Sequence, residues 1–393
     1  MRPISDHVSR PPRVLFVDHS GLPGGGQLGL ARFLERTRLD DVHVVLLSPG
    51  DAFDDVTRKR GFSLDVLEHE SGPRSLIAKR GALRRKIAAL RPDVVVANSN
   101  KAALVLASLP KSRATTTVYY MRDDLNPARK SLPKRVLLGR WMIPRFDELI
   151  ANSKWTASTI PQARIRYRAR IAYPVCGTDS TLPRRPKDAP STLRILSLSR
   201  IARWKGIHTM LEAARILESR GMANHFSMTI AGSSTHEDPN YEREMWRLGD
   251  KLESPVCFPG HVDNIRPLLN DHDVLLACSI STEPFGQVIV QGLDAGLVTI
   301  ASAEGGPMEI VDHEETGYLV EPGDAERLAD LLESLIVNPQ IRVQMSQAAM
   351  SSASRFGDST TVDRLDDVLC TRVSPRAHAR PKAERARRDA HQR

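Results

Sequence analysis

Short apolar runs rich in β-branched residues recur along the chain, each followed by a turn and then by apolar positions at helical spacing. The first is RVLFVD over 13–18. It is followed by Gly21-Leu22-Pro23-Gly24-Gly25-Gly26 and a pattern that places Leu28, Leu30, Phe33 and Leu34 on one side of a helix. VHVVLLS (42–48), PDVVVANS (92–99), TTTVYYM (115–121) and DELIANS (147–153) continue the series. Strand and helix in alternation predict a parallel sheet covered on both faces. Between Tyr173 and Ser191 the periodicity gives way to prolines and cations, YPVCGTDSTLPRRPKDAPS. Alternation then resumes with LRILSLS (193–199), a helix over 206–220, FSMTIAG (226–232), a helix over 239–252, VCFPG (256–260), DVLLACS (273–279) and LVTIAS (297–302). A helix over 324–336 and further helical segments to about 369 complete the pattern.

The expected architecture is therefore α/β: two doubly wound, Rossmann-like domains facing across a cleft. The boundaries predicted are a flexible start (1–12), a first domain (13–175), a linker (176–190), a second domain (191–355), a last helix that returns towards the first domain (356–371) and a basic disordered tail (372–393). Ligands of such sheets gather at the carboxyl ends of the strands, which places the expected site between the domains. Gly317-Tyr318-Leu319-Val320 reads as a hairpin-like turn, and Pro322-Gly323-Asp324 as a helix cap.

Composition adds little that is unusual. The 393 residues are 41% apolar and 26% charged, as in water-soluble globular proteins, and exceed what a single core usually supports. Cys176, Cys257, Cys278 and Cys370 have no paired spacing, so neither disulfides nor a zinc site is expected, which fits a cytoplasmic setting. No apolar run approaches the roughly 20 residues of a spanning helix, and the N-terminus lacks the apolar middle of a secretion signal. The net charge of +9 is concentrated at the end, where the last 22 residues hold eight Lys/Arg against Glu384 and Asp389; +3 remains without them. That tail reads as solvated rather than as a nucleic-acid arm, and no specific nucleic-acid partner is expected.

Four stretches carry candidate chemistry. Gly24-Gly25-Gly26, between the first strand and its helix, lets a backbone approach a bound group and frees helix N–H groups for an anion. It is not G-x-G-x-x-G, which disfavours a nicotinamide cofactor. Ser199-Arg200-Ile201-Ala202-Arg203-Trp204-Lys205-Gly206 follows a strand, and Arg200 and Lys205 can converge on a diphosphate. Glu283-Pro284-Phe285-Gly286 joins another strand to a helix, with Gln291 eight residues beyond Glu283. Gly305-Gly306-Pro307 with Glu309 repeats the arrangement of glycines before a helix entry.

Together with Phe258-Pro259-Gly260-His261-Val262 and Gly317-Tyr318-Leu319-Val320, these stretches resemble in order and spacing the retaining, nucleotide-sugar-dependent group 1 glycosyltransferases of GT-B fold. The resemblance spans about residues 13–330 and is stronger in the second half. It implies that Arg200 and Lys205 bind the donor diphosphate and offset the leaving group's charge without a metal or other cofactor. It implies that Glu283 positions the transferred sugar, that amides near Phe285, Gly286 and Gln287 hold sugar and phosphate, and that His261 and Val262 lie along the base. Gly25 and Gly26 would close on the diphosphate from the first domain.

Two departures stand out. Gln291 occupies the place of the family's second Glu, which grips the ribose, and Arg122 stands where many relatives carry His. Arg122 is expected to touch donor or acceptor, though a guanidinium is no neutral base. Asp123-Asp124 is not the separated Asp pair of metal-dependent transferases. The implied partners are a nucleoside diphosphate-sugar and a glycan or lipid-linked acceptor. The basic segments 79–91 and 130–145 add peripheral contact with an anionic membrane at its inner face as an alternative. Rival readings are a nucleotide-sugar epimerase or hydrolase of the same fold, a catalytically weak sugar-nucleotide binder, and a nucleic-acid binder acting through the tail.

Overall fold

The computed structural model describes residues 11–67, 74–126, 130–161, 169–178, 192–234 and 238–370. The expected basic tail and most of the expected linker fall outside these residues. The first sheet contains β1 (Val14–Asp18), β2 (Val42–Leu46), β3 (Ser63–Val66), β4 (Val94–Ala97), β5 (Thr116–Met121), β6 (Glu148–Ala151) and β7 (Arg170–Ile171). All its pairings are parallel, in the order β3-β2-β1-β4-β5-β6-β7. Alternate residues of β1 enter separate cores. Val14 and Phe16 pack on one face of the sheet, Leu15 and Val17 on the other. Burial on both faces is why β1 and β4 read as unbroken apolar runs.

The second sheet contains β8 (Leu193–Leu198), β9 (Phe226–Ala231), β10 (Val256–Gly260), β11 (Val274–Ala277), β12 (Val298–Ser302) and β13 (Gly317–Val320), parallel throughout and ordered β10-β9-β8-β11-β12-β13. Two parallel sheets, each with its own covering helices, give the two Rossmann-like domains expected from the sequence. The hairpin-like reading of 317–320 is corrected: this segment is the edge strand β13. Gly317 packs so closely on β12 that a Cβ would lie 2.1 Å from the Thr299 carbonyl oxygen, which explains a glycine in a strand. Asp324 does cap the next helix, accepting the Arg327 N–H at 2.9 Å. The short strands β3 and β7 carry no buried apolar run and gave no signal in the sequence.

The helix Asp358–Cys370 packs Val362, Leu365 and Leu369 into the first domain's core with Phe16 and Phe33. Asp366 takes hydrogen bonds from the Thr37 hydroxyl and the Arg38 N–H, and Asp358 accepts the N–H groups of Cys176 and Gly177, each at 2.9 Å. These bonds tie the last helix to the segment before β2 and to the chain at Cys176 and Gly177. Among the described residues no helix is long and apolar enough to cross a membrane.

Candidate active site

The stretch after β11 makes a polar turn and enters the helix Gln287–Asp294. Gly286 allows the entry, with φ at +102° in the region that favours glycine. The turn is held from the next loop: Glu283 and Gly305 form a parallel bridge, and the Gly306 N–H donates to the Glu283 carbonyl at 2.8 Å. A Cβ on Gly305 would lie 2.4 Å from that carbonyl oxygen. The glycines after β12 thus allow two loops to touch, and the Glu283 side chain projects from a fixed backbone.

The Glu283 carboxylate meets the Lys205 ammonium in a close ion pair, the two side chains being only 19% and 16% exposed. Lys205 closes a single turn, Arg203–Lys205, after β8, and Gly206 follows with φ at +70°. The Lys205 Nζ also lies 4.1 Å from the centre of the Trp204 ring, and the Trp204 carbonyl accepts the Ile280 N–H at 2.8 Å. A small hollow lies beside the pair, lined by Ser199, Ser279, Gly286 and Val288. Arg200, next along the chain from Ser199, is exposed with its guanidinium 5.9 Å from the Trp204 ring. Arg203 turns away to Asp238 and Tyr241 and belongs to the domain's own packing.

Across the cleft, the structure brings Gly25 to this helix. The Gln287 Nε2 donates to the Gly25 carbonyl at 2.6 Å, and its Oε1 accepts from Arg32 at 3.1 Å. Gly26 lies one residue further into the helix Gly25–Arg36. Phe285 stacks on Tyr173 at 5.3 Å and is buried, with Gly306 packed against its backbone. His261 and Val262 follow β10, two strands from β8, with His261 exposed and 3.2 Å from Asp263. They stand apart from the Lys205–Glu283 pair.

Gln291 has a structural reason to be an amide: its Nε2 donates to the Cys176 carbonyl at 2.7 Å, on the segment between the domains. A carboxylate there would set two acceptors against each other. We expect Gln291→Glu to lower stability by about 1–3 kcal/mol, read as a lower urea midpoint. An unchanged or raised midpoint would show that the hydrogen bond does not decide the residue.

Arg122 is held by residues of the first domain. Its guanidinium lies over the Tyr120 ring at 3.8 Å, donates twice to the Asn98 Oδ1 at 2.8 and 2.9 Å, and sits beneath the glycine face of the helix Gly25–Arg36. A Cβ on Gly29 would come 3.3 Å from the Arg122 Nη1, so a glycine there makes room for the guanidinium. Asn98 in turn donates to Asp18 and, at 3.3 Å, to the Gly26 carbonyl. Asp18, at the end of β1 and fully buried, also accepts from Gln27 at 2.9 Å and from the His19 N–H at 2.6 Å. Arg122 therefore positions the glycine helix through Asn98.

Burial pushes the Asp18 carboxyl pKa upward, but hydrogen bonds from His19, Asn98 and Gln27 with the His19 charge outweigh it, leaving the pKa below its usual range. The sign follows from linkage. A carboxyl depressed in the folded state adds stability above its unfolded pKa of about 3.9, and that stability is lost as pH falls through the folded value. Asp18→Asn is expected to cost about 1–3 kcal/mol at neutral pH, because two amides would then face a third. It should also flatten the loss of stability below about pH 4, measured by urea titration at several pH values. An acid limb identical to wild type would contradict the assignment.

Polar contacts across the cleft include Asn126 to Thr282 at 2.7 Å and Ser153 to the Pro284 carbonyl at 2.7 Å. Glu309, read from the sequence as part of a glycine-rich helix entry, instead accepts the N–H groups of Lys154 and Trp155 at 3.0 and 2.6 Å, at the start of the first-domain helix Lys154–Ser158. The Asp18–Asn98 network and the Glu309 contact were missed in the sequence. Polar residues closing the apolar runs of β1 and β4 were the available signal for the first; nothing local marked the second.

Residues 24–176 match the family described as glycosyl transferase 4-like domain, and residues 181–352 match glycosyl transferases group 1. The chain belongs to the group 1 glycosyltransferases. Among relatives of this family, WcaL of Escherichia coli, named for colanic acid biosynthesis, is 30% identical over 178 residues, 42% of each chain. LpsE of Rhizobium meliloti, a lipopolysaccharide core biosynthesis glycosyltransferase, is 29% identical over 233 residues, 58% of this chain and 65% of LpsE. The chain thus matches less than two-thirds of the length of these relatives. Structurally, this glycosyltransferase family member is similar to HepE of Anabaena, solved with UDP and glucose, with a TM-score of 0.76 at 26% identity over 91% of this chain and 99% of HepE. HepE has also been solved with UDP-glucose.

Proposed function

We propose that this protein transfers a sugar from a nucleoside diphosphate-sugar to an acceptor hydroxyl with retention of anomeric configuration. The observation that carries the reading is the Lys205–Glu283 pair at the mouth of the Gln287–Asp294 helix, opposite Gly25. A donor diphosphate placed here meets the Lys205 ammonium, the Arg200 guanidinium and helix N–H groups, which together offset the charge that develops as the sugar–oxygen bond breaks. These cations belong to the protein, so the reading requires no metal. Glu283 is left to hold the transferred sugar. The acceptor oxygen attacks the anomeric carbon on the face the diphosphate leaves, and its proton passes to a leaving-group oxygen. The UDP-glucose in HepE supports a nucleotide-sugar donor. The roles in the names of WcaL and LpsE support a growing glycan, free or lipid-linked, as acceptor.

A thermal-shift panel of UDP-, GDP- and ADP-sugars tests the donor. One class is expected to raise the melting temperature; if none does, the donor site is wrong. A glycosyl ester trapped on Glu283 in a mass spectrum would overturn the same-face scheme in favour of double displacement.

A further inference from the structure

A cavity of about 600 Å³ opens on the first domain, well away from the cleft. It lies at the amino ends of β4 and β5, bounded by Pro92, Thr115 and Thr117, whereas the cleft is at the carboxyl ends of the same parallel strands. At ~3.3 Å per residue, the length of β5 separates the two by roughly 20 Å. Its floor is apolar, formed by Ile87, Val95, Leu106 and Phe146. Its other notable feature is charge: Arg84, Arg91, Lys111 and Arg145 line it, and no acidic side chain does. Asp147, just outside, is 3.5 Å from Lys111 and accepts both the N–H and the hydroxyl of Thr117, so it offsets one cation in part. The two basic segments of the sequence, 79–91 and 130–145, meet here, supplying Arg84 and Arg145 from opposite sides.

We propose that this cavity binds an amphiphilic phosphomonoester: one aliphatic chain on the apolar floor and a phosphate at the basic rim. The volume is that of a small-molecule site, and apolar walls with a few convergent polar groups are the usual composition of one. Arg145 lies over the Trp141 ring at 4.3 Å and donates one N–H to the Trp141 carbonyl at 2.7 Å, which fixes its place at the rim and leaves its other donors to a ligand. With Arg84, Arg91 and Lys111 it calls for a dianionic headgroup, and guanidinium forks match phosphate oxygens in pairs. The site is separate from donor binding, and none of its residues touches Lys205 or Glu283.

Calorimetric titration of the full chain with dodecyl phosphate, below its micelle concentration, tests this. Binding is expected to be saturable and to weaken tenfold or more in Arg84→Glu/Arg145→Glu, and likewise in Ala88→Trp, which fills the cavity from an exposed helix position. Dodecanol and inorganic phosphate should each bind at least tenfold more weakly than dodecyl phosphate. Equal binding of dodecanol would reduce the site to an apolar slot, and equal binding of inorganic phosphate would reduce it to a charged surface. Either result overturns the proposal, as does unaltered binding in both variants or no binding at all. Binding to phosphatidic acid vesicles that Ala88→Trp leaves unchanged, with dodecyl phosphate not bound, would assign the cations to a membrane surface instead. Unchanged melting temperatures of the variants confirm that they fold.

Discussion

Glu283→Ala is expected to lower the rate of sugar transfer by about 10²–10³-fold with little change in folding stability. The carboxylate is anchored through its backbone, by the bridge to Gly305 and the bond from Gly306, and neither depends on the side chain. What alanine removes is the group that pairs with Lys205 and, on the proposed function, faces the sugar. The loss should fall mainly on kcat, since a positioning carboxylate acts where the transferred sugar is held and changes shape during reaction. Lys205→Ala should differ in kind. On the proposed function it removes a cation that meets the donor diphosphate both before and during bond breaking, so KM should rise and kcat should fall. Steady-state kinetics of the two variants separate the roles. Equal kcat in wild type and Glu283→Ala would remove Glu283 from the reaction.

Gly206→Ala is expected to destabilise the protein by at least about 2 kcal/mol and to suppress transfer as well. Gly206 has φ at +70°, and an added Cβ would lie 2.1 Å from the Cys278 carbonyl oxygen. That neighbour is backbone, so the strain can be relieved only by separating the loop after β8 from the loop after β11. The separation would stretch the Ile280–Trp204 hydrogen bond and pull Lys205 from Glu283. Gly221→Ala is the control. Its φ is +81°, yet nothing lies within 4 Å of its Cβ position, so it should cost only the left-handed penalty of about 1–2 kcal/mol. Urea unfolding of both variants isolates the steric part. Equal losses would mean that the close approach at Gly206 carries no energy.

The fold was legible in the sequence because parallel strands buried on both faces leave continuous apolar runs such as those of β1, β4, β11 and β12. The half-exposed β3, the two-residue β7 and the glycine-led β13 carry no such run, which is why the first two were missed and the third was read as a turn. The site shows the same division. Lys205, Glu283 and Gly286 were legible because each sits where a strand gives way to a glycine-bearing turn, and the structure brings them together. The setting of Arg122 could not be read from the sequence, because residue type does not reveal direction. Tyr120 and Asn98, both of which were in plain view, hold its guanidinium under a helix whose glycines make room for it. Gln291 looked like a lost carboxylate until its partner, the Cys176 carbonyl, showed why an amide fits. Contacts that join residues more than 100 positions apart, such as Gln287 to Gly25 and Glu309 to Lys154, have no local signature at all.

The most direct test of the proposed donor site is calorimetric titration of the nucleoside diphosphate whose sugar gives the thermal shift, into the wild-type protein and into Lys205→Ala. Saturable binding to the wild type is expected, with an affinity about 10–100-fold weaker in the variant, as for losing one charge-assisted contact worth about 1.5–3 kcal/mol. Equal affinity in the two proteins would contradict it.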